Sequence, residues 1–405
     1  MNDKEIKKLI EAELKRQNQH LELIASENIV STDVLRAAGS ILTNKYAEGY
    51  PGRRYYGGCE HVDDIENLAI ERAKKLFGVK HANVQPHSGS GANAVAYHAL
   101  LPNGGKILAM QLSDGGHLTH GSPVSFSSKF YSFTFFPLDK DNKINLDEIE
   151  KAIIAEKPNA LLIGYSSYPF QTKFAPLGDL CKKYNLPWIV DMAHFAGLVA
   201  GGMHDNPCPH ATIVTSTTHK TLRGPRGGLV LTNDDELIKR INSAVFPFYQ
   251  GGPLEHIIAG KAVCFAEALD PSFKQYAKQI IENTAACQAR FGKLGCVVSG
   301  TETHLFMLNT KKSFGITGID AQKLLDECNI TTNKNMLPHD DEKPNVTSGL
   351  RIGFAAVTTR GCTTEMAAQI ADVIYDVLSK KISVSDAKQR AVNLASKLKP
   401  IPVVF

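Results

Sequence analysis

Five short apolar runs, at residues 106–110, 160–164, 188–191, 212–215 and 228–231, constrain this chain more than any other feature. Each is nearly unbroken rather than alternating, the pattern of strands buried on both faces of a mostly parallel sheet. Amphipathic stretches such as 146–156 and 177–184 lie between them, so the segment from about 80 to 265 predicts an α/β domain. Beyond about residue 267, helical stretches (276–294, 321–328, 364–378) alternate with isolated strands such as 305–308, which predicts a smaller α+β domain. Near the start, Ile6, Leu9, Ile10 and Leu14 share one helix face behind a capping Asp3, an arm that needs another surface. The expected division is an N-terminal arm (1–25), a large domain (26–270) and a small C-terminal domain (271–405).

Composition removes several classes. A chain of 405 residues is too long for one small core. Lys and Arg (45) against Asp and Glu (41) leave a net +4 spread along the chain, so neither a nucleic acid nor a membrane surface is an expected partner. No apolar run approaches the roughly 18 residues of a bilayer span. The first residues lack the layout of a signal peptide. Eight cysteines form no CxxC pair, so neither a metal site nor a disulfide framework is expected, and the cytoplasm is the expected compartment.

Ligands of open α/β sheets bind beyond the carboxyl ends of strands, and three polar clusters fall there. His87-Ser88-Gly89-Ser90-Gly91-Ala92-Asn93 leads into an apolar helix; it suits an anion and equally reads as a capped helix after a turn. Asp191-Met192-Ala193-His194 follows a buried run; Asp191 suits a cationic ring nitrogen or the cap of the next helix. Lys220 sits among hydroxyls and glycines in 215–228, where an amine can react with a carbonyl or clamp an anion. Together, a phosphate cradle, an acid about 100 residues on and a lysine about 30 after that give the layout for pyridoxal phosphate.

Four segments carry a resemblance: Leu23-Ile24-Ala25-Ser26-Glu27-Asn28, the Tyr/Gly-rich stretch from Leu42 to Gly58, Gly116-His117-Leu118-Thr119-His120-Gly121 and Thr218-His219-Lys220-Thr221. With these the chain resembles serine hydroxymethyltransferases from about residue 15 to 375. The resemblance implies an aspartate-aminotransferase-like fold and a homodimer with shared active sites. It implies conversion of L-serine and tetrahydrofolate to glycine and 5,10-methylenetetrahydrofolate, with pyridoxal phosphate as cofactor and tetrahydrofolate as co-substrate.

Residue by residue, Lys220 would hold the cofactor, Asp191 its pyridine nitrogen and His117 its ring, with Ser166 and His194 near the phenolic oxygen. Ser88, Gly89 and Ser90 would bind phosphate, with Gly251, Gly252 and Tyr46 of a neighbouring subunit. Arg351, assisted by Ser26, would clamp the substrate carboxylate. Glu48 would be the acid/base, with Tyr56 beside the substrate hydroxyl and His219 beside the lysine. Folate contacts would fall on Glu27, Tyr55, Leu112, Gly116, Leu118 and Asn335. The chain departs from the family at Gly353-Phe354-Ala355-Ala356 and at Phe248-Tyr249. A bulky Phe354 near the carboxylate clamp, together with Phe248-Tyr249, keeps open the alternative, a pyridoxal-phosphate aldolase or transaldolase of β-hydroxy amino acids that does without folate.

Overall fold

Continuous apolar sequence becomes continuous burial in the main sheet of the computed structural model, which describes residues 2–404. Its strands are β1 (His81–Asn83), β2 (Lys106–Met110), β3 (Ser132–Phe136), β4 (Ala160–Gly164), β5 (Trp188–Asp191), β6 (Ile213–Thr217) and β7 (Gly228–Thr232). Every residue of β4 to β7 is buried. The spatial order is β1-β7-β6-β5-β4-β2-β3. All pairs are parallel except those of β7, which runs against both β1 and β6. The ends of the parallel strands therefore place Met110, Gly164, Asp191 and Thr217 along one edge. Register sets Gly164 opposite Asp191 and Asp191 opposite Thr215. This unit comprises Val30–Ser166 and Gln171–Gln275. In its core, Ala92, Val95 and Tyr97 of the helix Gly89–Leu100 join Ile107, Leu162, Ile189 and Val230 of the strands. Each large apolar side chain buried this way contributes about 1.5–3 kcal/mol.

The other unit gathers the residues up to Ile29, Ser167–Phe170 and those from Tyr276 onward. The chain passes from one unit to the other within the helix Ser272–Lys293. Its antiparallel sheet, β8 (Leu305–Asn309), β9 (Asn333–Asn335) and β10 (Gly349–Gly353), has β10 in the middle. Phe306, Leu308, Leu350 and Ile352 of this sheet join Ile370 and Ile374 of the helix Thr364–Leu378 in one core. Phe354, the bulky residue three positions after Arg351, is fully buried in that core, because it follows β10 into a helical turn. The N-terminal helix Lys4–Gln19 is capped as expected, Asp3 Oδ1 accepting the N–H groups of Glu5 and Ile6 at 3.0 and 3.1 Å. After it, Leu21–Glu22 pairs in parallel with Ile330–Thr331.

Candidate active site

Asp191 ends β5 as a buried carboxyl on which three donors converge. Its Oδ2 accepts from Asn93 Nδ2 at 2.9 Å and from His120 Nε2 at 3.0 Å, and its Oδ1 from the Ala193 N–H at 3.0 Å. Burial favours the neutral acid, but the hydrogen bonds from His120 and Asn93 outweigh it. The carboxyl is held well below the usual carboxylate range.

The donors are themselves fixed. Asn93 Oδ1 accepts from Thr215 Oγ1 at 2.6 Å, and its amide also donates to Thr119 Oγ1 at 2.8 Å. The His117 N–H donates to His120 Nδ1 at 3.4 Å, which leaves the other ring nitrogen of His120 to carry a proton toward Asp191. His117 Nδ1 in turn lies 2.8 Å from Thr119 Oγ1.

Lys220 stands on the turn that follows β6. It is buried, and its Nζ donates to Thr217 Oγ1 at 3.3 Å. The turn is tight: the Gly224 N–H reaches the Thr218 carbonyl at 2.6 Å, and Arg223 adopts a φ of 63°. Thr221 Oγ1 donates to the His194 carbonyl at 2.8 Å, tying the lysine turn to the segment after Asp191. Burial, then the charges of Lys220 and Arg226, push the His219 imidazole down to about 3, so this ring is neutral at physiological pH.

Ser88 caps the helix Gly89–Leu100, its Oγ accepting the Gly91 N–H at 3.1 Å. A Cβ on Gly89 would lie 2.5 Å from Thr217 Cγ2, and one on Gly228 would lie 2.3 Å from the Ser88 carbonyl oxygen. Glycine at both places lets this turn settle against β6 and β7. Ser88 and Ser90 are exposed at the helix start, where unpaired N–H groups favour an anion. The Ser166 N–H donates to the Gly115 carbonyl at 2.7 Å, which joins the end of β4 to the loop carrying Leu112, Gly116, His117 and Leu118. A fixed anion, a buried amine and an anion-binding turn on one sheet edge fit the ring nitrogen, aldehyde and phosphate of pyridoxal phosphate.

A second constellation in the same unit is exposed. Tyr46 Oη donates to Glu48 Oε1 at 3.2 Å, and the Tyr46 and Tyr56 rings meet edge-on at 5.2 Å. A Cβ on Gly251 would lie 3.1 Å from Glu48 Oε1, and one on Gly252 would lie 3.2 Å from the Tyr46 ring. Tyr55 touches Phe246 and is 74% exposed. Phe248 stacks flat on His98 at 3.5 Å.

In the other unit, Arg351 lies buried in the middle of β10. Its Nε donates to Asn333 Oδ1 at 3.0 Å and its Nη2 to Ser26 Oγ at 3.5 Å. Burial pushes the guanidinium down to about 10, which leaves it a cation at neutral pH. Asn335 Nδ2 donates to Ser167 Oγ at 3.2 Å, and Glu27 is exposed. Sequence reasoning assigned no role to Asn93, Thr119, His120 or Thr215. The signal was present, since all four stand inside the polar stretches that drew attention in the sequence.

Residues 1–374 match the serine hydroxymethyltransferase family. Three curated proteins named serine hydroxymethyltransferase are similar over most of their length. That of Mycoplasmopsis agalactiae (strain NCTC 10123 / CIP 59.7 / PG2) is 49% identical over 98% of this chain and 95% of its own. That of Mycoplasmopsis synoviae (strain 53) is 52% identical, covering 92% and 89%. That of Mycoplasma mobile (strain ATCC 43663 / 163K / NCTC 11711) is 51% identical, covering 95% and 92%.

Proposed function

Because the chain belongs to the serine hydroxymethyltransferase family, we propose that Lys220, Asp191, Arg351 and Glu48 divide that family's chemistry among them. The family has an aspartate-aminotransferase-like fold and uses pyridoxal phosphate. The enzyme converts L-serine and tetrahydrofolate reversibly to glycine and 5,10-methylenetetrahydrofolate. When bound, the cofactor supplies an electron sink for breaking a bond at the amino acid's α-carbon.

The observation that carries the assignment is Asp191, a buried carboxylate kept ionised by His120 and Asn93. Such an anion holds a proton on a pyridine nitrogen. Lys220 supplies the amine that binds the aldehyde carbon, and neutral His219 stands next to it in the chain. His117, Ser166 and His194 hold the ring and its oxygen. The Ser88, Gly89 and Ser90 turn binds phosphate with Gly251, Gly252 and Tyr46. Arg351, with Ser26, grips the substrate carboxylate through paired N–H groups. Glu48 moves a proton at the serine hydroxyl or the folate amine, with Tyr56 beside it. Folate rests on Glu27, Tyr55, Leu112, Gly116, Leu118 and Asn335.

Two features support a homodimer with shared sites. Tyr46, which bonds the acid/base carboxylate, and Tyr56, which meets the Tyr46 ring, are 55% and 49% exposed, as expected of groups completed by a second copy. The helix Lys4–Gln19 also leaves Ile6, Leu9 and Ile10 uncovered. Eight free cysteines fit a reducing cytoplasm, and no helix among the described residues is long and apolar enough to cross a membrane.

Serine cleavage measured with and without tetrahydrofolate tests the reaction. The rate is expected to collapse when folate is omitted. An undiminished rate would assign the site to a folate-independent aldolase.

A further inference from the structure

Lys261 is a buried cation to which the assignments above give no part. It lies in the helix Glu255–Leu269 and is 1% exposed. Its Nζ donates to the carbonyls of Val84 at 2.6 Å, Gly228 at 2.8 Å and Pro86 at 3.0 Å. Three acceptors around one nitrogen require the ammonium form, because a neutral amine has only two protons to give. Burial pulls this amine down to about 7, against the opposing influence of the Glu66 and Glu255 carboxyls, and the three carbonyls are what hold it in the ammonium form.

The three carbonyls are not scattered. Val84 and Pro86 lead from β1 into the Ser88 turn, and Gly228 is the first residue of β7. The Gly228 N–H also donates to the Pro86 carbonyl at 2.8 Å, and the Ser88 carbonyl presses against Gly228. One ammonium therefore pins the base of the turn to the neighbouring strand. We propose that Lys261 is a positioning residue for the cofactor's phosphate: it fixes the 87–90 turn so that the N–H groups of Ser88, Gly89 and Ser90 converge on one anion. This rests on the reading of that turn as the phosphate site. A second handle exists at Gly227, where a Cβ would lie 2.3 Å from Lys261 Cε and 3.0 Å from its Nζ. Gly227→Ala would displace the ammonium without removing it.

The test compares pyridoxal phosphate with pyridoxal, which lacks the phosphate, by titrating the full-length cofactor-free enzyme and following absorbance. Wild type is expected to bind the phosphorylated form much more tightly. Lys261→Met and Gly227→Ala, checked for fold by circular dichroism, are expected to lower that affinity ratio by about tenfold or more while leaving pyridoxal binding unchanged. A folded variant with the wild-type ratio overturns the proposal, and Gly227→Ala decides if Lys261→Met fails to fold. A wild-type enzyme with no preference for the phosphorylated form overturns the phosphate reading itself, and the proposal with it.

Discussion

At Asp191 burial and hydrogen bonding pull one carboxyl in opposite directions, and the hydrogen bonds win because three donors converge on it. A carboxyl whose folded pKa is depressed stabilises the fold above its unfolded value of about 3.9 and loses that contribution as pH falls. The anion is therefore secure throughout the neutral range. His120→Phe removes one donor while leaving the burial, so the Asp191 pKa must rise. The acid limb of the kcat/KM profile is expected to move upward by about one pH unit or more. An unmoved limb would show that Asn93 and the Ala193 N–H suffice. His120 stood in plain view within Gly116–Gly121, but its partner is 71 residues away, and only the fold brings them together.

Strands set the positions at which these side chains act. Gly164 lies beside Asp191 in register, and a Cβ there would lie 2.7 Å from both the Cβ and the carbonyl oxygen of Asp191. Neither atom belongs to a flexible side-chain end, so Gly164→Ala must shift the end of β5. A loss of about 1–3 kcal/mol in urea unfolding is expected, accompanied by weaker cofactor binding. A variant with wild-type stability and affinity would show that the strand end yields freely. The five buried strands were legible because burial on both faces leaves continuous apolar runs. β1 and β3 were not: the first has three residues, and the second is a half-exposed edge, so neither shows such a run. The packing of Phe354 was not legible either, because the sequence shows that it stands near Arg351 but not that its ring is enclosed by the core. Tyr46, Glu48, Gly251 and Gly252 were recognisable only through resemblance, since no local pattern joins residues about 200 positions apart.

At the scale of the whole molecule, the proposed homodimer with shared sites carries its own test. Glu48 travels with Tyr46, because a 3.2 Å hydrogen bond joins them on the exposed constellation, whereas Lys220 lies buried at the sheet edge. If Tyr46 and Glu48 serve a neighbouring copy, Lys220→Ala and Glu48→Gln damage different contributions to one site. Mixing the two inactive variants under exchange conditions is expected to restore about a quarter of wild-type activity, because half the dimers are hybrids with one intact site. No recovery, with exchange confirmed by mass spectrometry, would place both groups in one subunit's site.

The role of Lys220 is tested most directly by borohydride reduction of the enzyme with pyridoxal phosphate, followed by peptide mass mapping. The expected result is a single phosphopyridoxyl group on Lys220, absent from Lys220→Ala. A label on another lysine, or a Lys220→Ala enzyme with undiminished transferase activity, would contradict it.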